Sequence, residues 1–211
     1  MSGAGSRTPD GPRGWSAGWS SASVRPSTGR LGLEDAVPPA GSLPARADRS
    51  RFRRRARPIL AHRLLRVATT RPMEIVDLTE GIASAVAGAG LWLGAVSVHT
   101  RHTTTGLFVN EHEPQLLLDL EALFERLAPA GAAYAHDDFA RRTGPLAPDE
   151  RRNGHAHCRA MFLRASEIVH VSGGVLALGR WQRVLFVDFD GGQPRQVSLL
   201  LQGAGGPDEP R

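Results

Sequence analysis

A chain of 211 residues has room for one ordinary domain, or for a smaller domain behind a tail. Its formal charge of +5 is spread unevenly: residues 1–57 hold eleven Arg against four acids, which leaves the remainder close to neutral. A near-neutral folded part argues against a nucleic-acid-binding domain, a single cysteine excludes an internal disulfide and a CxxC metal site, and no apolar run of about 18 residues offers a membrane span.

Residues 1–57 are rich in Gly, Ser, Pro, Ala and Arg and show no apolar period. Such a segment cannot bury enough apolar surface to offset its chain entropy, so a disordered tail is expected. The run Arg51-Phe52-Arg53-Arg54-Arg55 is a place where nucleic acid or an acidic membrane surface would bind weakly, although a solvated low-complexity extension explains it as well. A transit-peptide reading also fits the Ser- and Arg-rich, acid-poor composition, whereas the order of a secretory signal is missing. Every fixed cation is Arg, as a GC-rich coding bias would produce, and Cys158 is compatible with a reducing cytoplasm.

From Pro58 the texture changes. Ile59–Thr69 and Met73–Leu78 read as strands, and Thr79 is placed to cap an Ala-rich helix from Glu80 to Ala89 that Gly90 ends. Leu91–His99 and Thr104–Asn110 read as two more strands around a polar turn. The clearest helix starts at Pro114, with Leu116, Leu117, Leu120, Leu123, Phe124 and Leu127 on one face and Pro129 and Gly131 beyond its end. Leu118 points the other way, exposed unless a second subunit covers it. Residues 130–152 read as a loop of a length that is usually functional or disordered. Asn153 is placed to cap a helix reaching about Arg164. Strands then follow over 167–171, 174–178, 180–189 and 195–202, with Gly173-Gly174 and Asp190-Gly191-Gly192 as turns. The expectation is an α+β domain at 58–203, of mostly antiparallel strands with about three helices, and a short polar tail at 204–211.

Most of the eight histidines fall where turns, loops and helix ends can bring them together. His102 sits where a turn enters a strand, followed by Thr103, Thr104, Thr105 and Gly106. Hydroxyls and backbone N–H groups beside a glycine suit an anionic oxygen. His136 lies in the long loop beside Asp137 and Asp138. Asn153 and His157 are four apart, hence on one helix face. Three imidazoles (His102, His136 and His157) can ligate one divalent ion, zinc-type or magnesium, and leave a position open, although a lone histidine is more often a core or surface residue. Glu111, Asp119 and Asp188 are the candidate acid–base or supporting carboxylates, and such carboxylates are usually only solvating. Trp181 is more often a packing residue, and Gln182 beside it can donate to a ligand. His99 and His170, inside apolar strands, are assigned to structure.

Several of these pieces together resemble the YjbQ-like family. His102-Thr103-Thr104-Thr105-Gly106-Leu107 with Asn110-Glu111 is similar to its His-Thr-Thr-Ala-Gly-Leu block, and Asp119 follows at the family's distance. Tyr134-Ala135-His136-Asp137 resembles Tyr-x-His-Asn, Asn153 with His157 resembles Asn-x-x-x-His, and Gly179-Arg180-Trp181-Gln182 resembles Gly-Thr-Trp-Gln. Asp188-Phe189-Asp190-Gly191 stands where the family has Glu-x-Asp-Gly. The resemblance implies a cytoplasmic homotrimer with a histidine pocket that can hold a metal. It also implies a thiamine-phosphate synthase type of activity, in which a thiazole phosphate is joined to a pyrimidine diphosphate and pyrophosphate leaves.

By that resemblance Glu111, Asp119, Asn153 and Asp188 are catalytic, and Thr103, Thr104, Gly106, Trp181, Gln182 and Arg195 bind the phosphorylated substrate. The anion shell departs from the pattern. Gln193 stands for the first of two arginines, and Gln cannot neutralise a phosphate. Asp188 replaces Glu, Asp137 replaces Asn, Thr105 replaces Ala, and Arg164-Ala165 stands where a glycine is usual. A phosphate-ester hydrolase and a non-catalytic trimer that binds a metabolite or metal therefore stay open beside the transferase.

Overall fold

The computed structural model describes residues 57–206, so the expected N-terminal tail and residues 207–211 lie outside the described residues. The elements run β1 (Pro58–Ala68), β2 (Glu74–Asp77), α1 (Thr79–Ala89), β3 (Leu91–Thr100), β4 (Thr105–Asn110), α2 (Pro114–Leu127), α3 (Gly154–Ala160), β5 (Ser166–Ser172), β6 (Val175–Leu176), β7 (Arg183–Asp188) and β8 (Pro194–Gly205). All strand pairs are antiparallel. They form a five-stranded sheet in the order β1-β8-β3-β5-β6 and a three-stranded sheet in the order β2-β7-β4. This is the expected α+β class, and no helix among the described residues is long and apolar enough to cross a membrane.

β7 explains the layering. Its residues Val184, Leu185, Phe186 and Val187 are all fully buried, so it is apolar on both faces rather than alternating. Val184 and Phe186 pack with Val96, Val98, Val197, Leu199 and Leu201 of the large sheet and with Ile82 and Val86 of α1. Leu185 and Val187 face the other way, with Phe189, Ile75, Phe124 of α2 and Ala156 of α3. The small sheet is therefore the middle layer, and α3 rests on its far side. Arg159 ties that layer together by donating to the Ala128 carbonyl at 2.9 Å and by pairing with Glu125.

Several local expectations need correction. Thr79 does not cap α1: Asp77 Oδ1 accepts the Thr79 N–H at 2.8 Å, while the Thr79 hydroxyl accepts the Val184 N–H at 2.9 Å. α2 is capped by Glu113, whose carboxylate accepts from Gln115 and Leu116, and Pro114 occupies the first turn as expected. Leu123 and Leu127 of its apolar face are exposed, as is Leu118. α3 stops at Ala160, not Arg164. The strand expected from Arg180 starts at Arg183, because Gln182 Oε1 accepts the Gly179 N–H and closes a turn there. β8 runs on to Gly205, past the boundary drawn at Gly203, since Gly205 still donates to the Arg57 carbonyl at 2.8 Å.

Candidate functional site

At one end of the molecule the two sheets are joined by a buried ion pair. Asp188, at the end of β7, has no exposed surface and accepts four hydrogen bonds. Arg195 Nε and Nη2 approach its two oxygens at 2.7 and 2.9 Å, Thr69 donates at 2.8 Å and the Asp190 N–H at 3.0 Å. Arg195 Nη2 also reaches the Asp190 carbonyl at 2.8 Å and Thr104 Oγ1 at 3.5 Å. The β3–β4 turn is braced beside this pair by the Thr100–Thr105 hydroxyl contact and by the Thr105 hydroxyl donating to the His102 carbonyl. That turn presents His102, Thr103 and Thr104.

A second wall comes from the helical layer. The chain makes one 3₁₀ turn at Ala135–Asp137, and Asp137 Oδ1 accepts the Gly154 N–H at 2.9 Å, a bond that caps α3 from outside. Asn153 was expected to cap this helix; instead its Nδ2 donates to Asp190 Oδ2 at 2.9 Å. Gly154 is needed for this fit, since a Cβ there would lie 2.5 Å from Tyr134 Cβ. The result places the His136 and His157 rings edge to face, 4.6 Å apart.

Between these walls lies a cleft of about 430 Å³. His102, Thr103, Thr104, His136, Asn153, His157 and Arg195 line it, so seven of the expected site residues come together. The long loop adds Arg142, Glu150 and Arg151, and the β3–β4 turn adds Arg101. Spacing did not single these out; the length of the loop was the signal that it mattered. Asp190 also faces the cleft, pairing with Arg151 at 3.4 Å, and Gln193 reaches it at 3.5 Å.

Two buried atoms in the cleft have no hydrogen-bond partner among the described residues: His136 Nε2 and Asn153 Oδ1. Buried polar atoms are nearly always paired, so these two mark where a ligand, ion or water belongs. His102 differs, because its Nε2 accepts the Gln196 N–H at 3.1 Å, which puts the proton of the neutral ring on Nδ1. Burial holds the His102 imidazole below its ordinary pKa, helped by the Arg195 guanidinium. Burial does the same for His157, with His136 next to it. Both rings are therefore neutral at pH 7.

Tested against a divalent ion, the expected set is only partly assembled. His136 and His157 pack edge to face and His136 Nε2 is unpaired among the described residues, while the Nε2 of His102 is spent on backbone. Among the described residues no group of three or more His, Cys, Asp or Glu is arranged to hold a metal.

Other expected residues lie outside the cleft lining. Glu111 follows the far end of β4, and Asp119 is exposed on α2. Trp181 is 60% exposed with the Arg180 guanidinium 4.6 Å above its ring, and Gln182 closes its own turn. Gly106 packs against Leu163, where a Cβ would lie 2.6 Å from that residue's Cβ. Asp188 is present, but all its acceptor capacity visible here is directed to Arg195, Thr69 and Asp190.

Comparison with known proteins identifies the family. Residues 63–204 match the family described as UPF0047 protein YjbQ-like. The chain belongs to the YjbQ family. A UPF0047 protein of Archaeoglobus fulgidus is 39% identical over 133 residues, covering 63% of this chain and 94% of its own. One from Methanothermobacter thermautotrophicus is 32% identical over 139 residues, covering 66% and 90%. Among solved structures, a YbjQ-like protein of unknown function from Sulfolobus solfataricus superposes with a TM-score of 0.60 at 27% identity, covering 68% of this chain and 97% of that one. A hypothetical protein from Aeropyrum pernix gives 0.59 at 31% identity, covering 68% and 98%.

Two outcomes follow from the geometry. Arg195→Met should leave Asp188 buried and unpaired and cost about 3–5 kcal/mol in urea unfolding, the usual penalty for stranding a buried charge. A loss below about 1 kcal/mol would mean that the pair does not hold the sheets together. Because His102 and His157 titrate below their ordinary 6.5 in the folded state, the unfolded chain takes up protons first as pH falls. Stability should be full above that pH and decline below it, and His157→Gln should flatten the decline in urea midpoints measured between pH 7.5 and 5.5.

Proposed function

We propose that this YjbQ-family protein is a cytoplasmic transferase or related phosphate-ester enzyme, with the joining of a thiazole phosphate to a pyrimidine diphosphate as its leading reaction. The observation that carries this reading is the cleft itself, where four arginines and two threonines stand beside the unpaired His136 Nε2 and Asn153 Oδ1. In such a reaction negative charge builds on the departing pyrophosphate as the C–O bond breaks. Fixed cations and hydroxyls aimed at that charge lower the barrier, and a strong base is not required because the thiazole nitrogen is already nucleophilic. Arg101 and Arg142 neutralise the leaving group, and Thr103 and Thr104 orient it. Arg195 holds Thr104 in place while remaining paired to Asp188. Asn153, fixed by its bond to Asp190, offers Oδ1 to a donor on the substrate.

A divalent ion, zinc-type or magnesium, would be held by His136 and His157, whose rings meet edge to face, and would supply further positive charge for the phosphate oxygens. Elemental analysis and pyrophosphate titration of the wild type, His157→Ala and His102→Ala test this. We expect metal and pyrophosphate binding to be lost in His157→Ala and metal to be kept in His102→Ala, with pyrophosphate release from the two precursors only in proteins that bind it. Binding of pyrophosphate that ignores His157 would sink the assignment. Firm binding without turnover would instead support a non-catalytic metabolite-binding protein. That reading has one observation in its favour, since neither Glu111 nor Asp119 lines the cleft and Asp188 is consumed by Arg195.

The working assembly is a homotrimer. Leu60 is 77% and Ile168 66% exposed, and with Leu64 and Leu200 they stand on the outer face of the five-stranded sheet, an apolar patch of the kind that marks an interface. Light scattering should give three chains for the wild type and one for Leu200→Asp/Ile168→Asp. A monomeric wild type refutes the trimer.

A further inference from the structure

Three of the four arginines in the cleft are already paired, but the pairs are not equivalent. Arg195 belongs to Asp188, which is wholly buried and saturated. Arg151 lies against Asp190 and donates to the Asp190 and Gly191 carbonyls, and the other oxygen of Asp190 is taken by Asn153. Removing either acid from its partner would strand a buried charge.

Arg142 and Glu150 are different. Their Nη1 and Oε1 are 2.8 Å apart, and both side chains are 22% exposed, so water can replace either partner. Among the described residues the Glu150 carboxylate accepts one other bond, from the Ala147 N–H within the same loop, at 3.2 Å. The carboxyl is held below the ordinary range first by Arg142 and then by that N–H, and it is therefore charged at neutral pH.

We propose that Arg142 is the exchangeable anion-binding residue of the cleft, and that Glu150 occupies it as a stand-in until the anionic group of a ligand displaces it. This rests on reading the cleft as an anion site. Exchange of one anion for another on Arg142 conserves the ion pair, so the loop surrenders Glu150 at little cost. A ligand that carries more than one negative charge gains further from Arg101, which has no ion-pair partner among the described residues. The released carboxylate lets go of nothing outside its own loop, so exchange is confined to residues 142–150.

The test is calorimetric titration of the full chain with inorganic pyrophosphate. Glu150→Gln removes the charge but retains an oxygen for the Ala147 N–H, and Glu150→Ala serves as a second variant. Pyrophosphate affinity should rise about fivefold in both, the worth of a partly exposed ion pair. It should fall in Arg142→Gln, and in Arg142→Gln/Glu150→Gln the gain should vanish. Amide hydrogen exchange should rise in residues 144–150 of the wild type when pyrophosphate binds. Unchanged affinity in both Glu150 variants would overturn the proposal. So would an equal gain with and without Arg142, because the effect would then come from the general field. Absence of pyrophosphate binding in every protein, wild type included, would bring down the anion-site reading itself and this inference with it.

Discussion

The Asp188–Arg195 pair is the constraint on which the rest of the molecule depends. Asp188 belongs to the three-stranded sheet and Arg195 to the five-stranded sheet, so their two short bonds fasten one layer to the other. Burying both charges is costly unless every polar atom finds a partner. The chain meets that demand with Thr69, just beyond β1, and with the Asp190 N–H, at the turn into β8. Three separate segments are thereby held at one point: the end of β7 with its turn, the start of β8 and the residue after β1.

The same fastening decides where a ligand can bind. β7 is buried on both faces, which leaves its end as the first place where polar groups emerge from the apolar interior. Asp188, Asp190 and the turn after them emerge there together, and the β3–β4 turn is carried to the same end by the pairing of Thr105 with Asp188. The helical layer supplies the opposite wall through one hydrogen bond, from Gly154 to Asp137. That bond sets the 3₁₀ turn against α3, where His136 packs on His157.

Much of the fold was legible because its signals are local. Apolar alternation marked most strands, glycine pairs marked the turns, and Pro114 with a leucine-rich face marked α2. Boundaries failed where a side chain competed with the backbone, as Gln182 does at Gly179 and Asp77 does at Thr79. The three imidazoles of the cleft were legible from the motifs around them. The arginines of the loop were not, because they are held by ion pairs, Arg142 to Glu150 within the loop and Arg151 to Asp190 beyond it, that have no period in the sequence. Glu111, Asp119 and Trp181 stand in suitable blocks but outside the lining of this cleft, on the strand end, helix face and turn that carry them.

The bond from the Gln196 N–H to His102 Nε2 has a use beyond orienting a ring. It couples the edge of the cleft to a backbone amide in β8, a strand whose core side chains are fully buried. Anything that protonates, ligates or rotates that imidazole must take the lone pair from the amide. The nitrogen and proton resonances of Gln196 are therefore a built-in reporter of occupancy, readable without a label in the cleft and without knowing what occupies it.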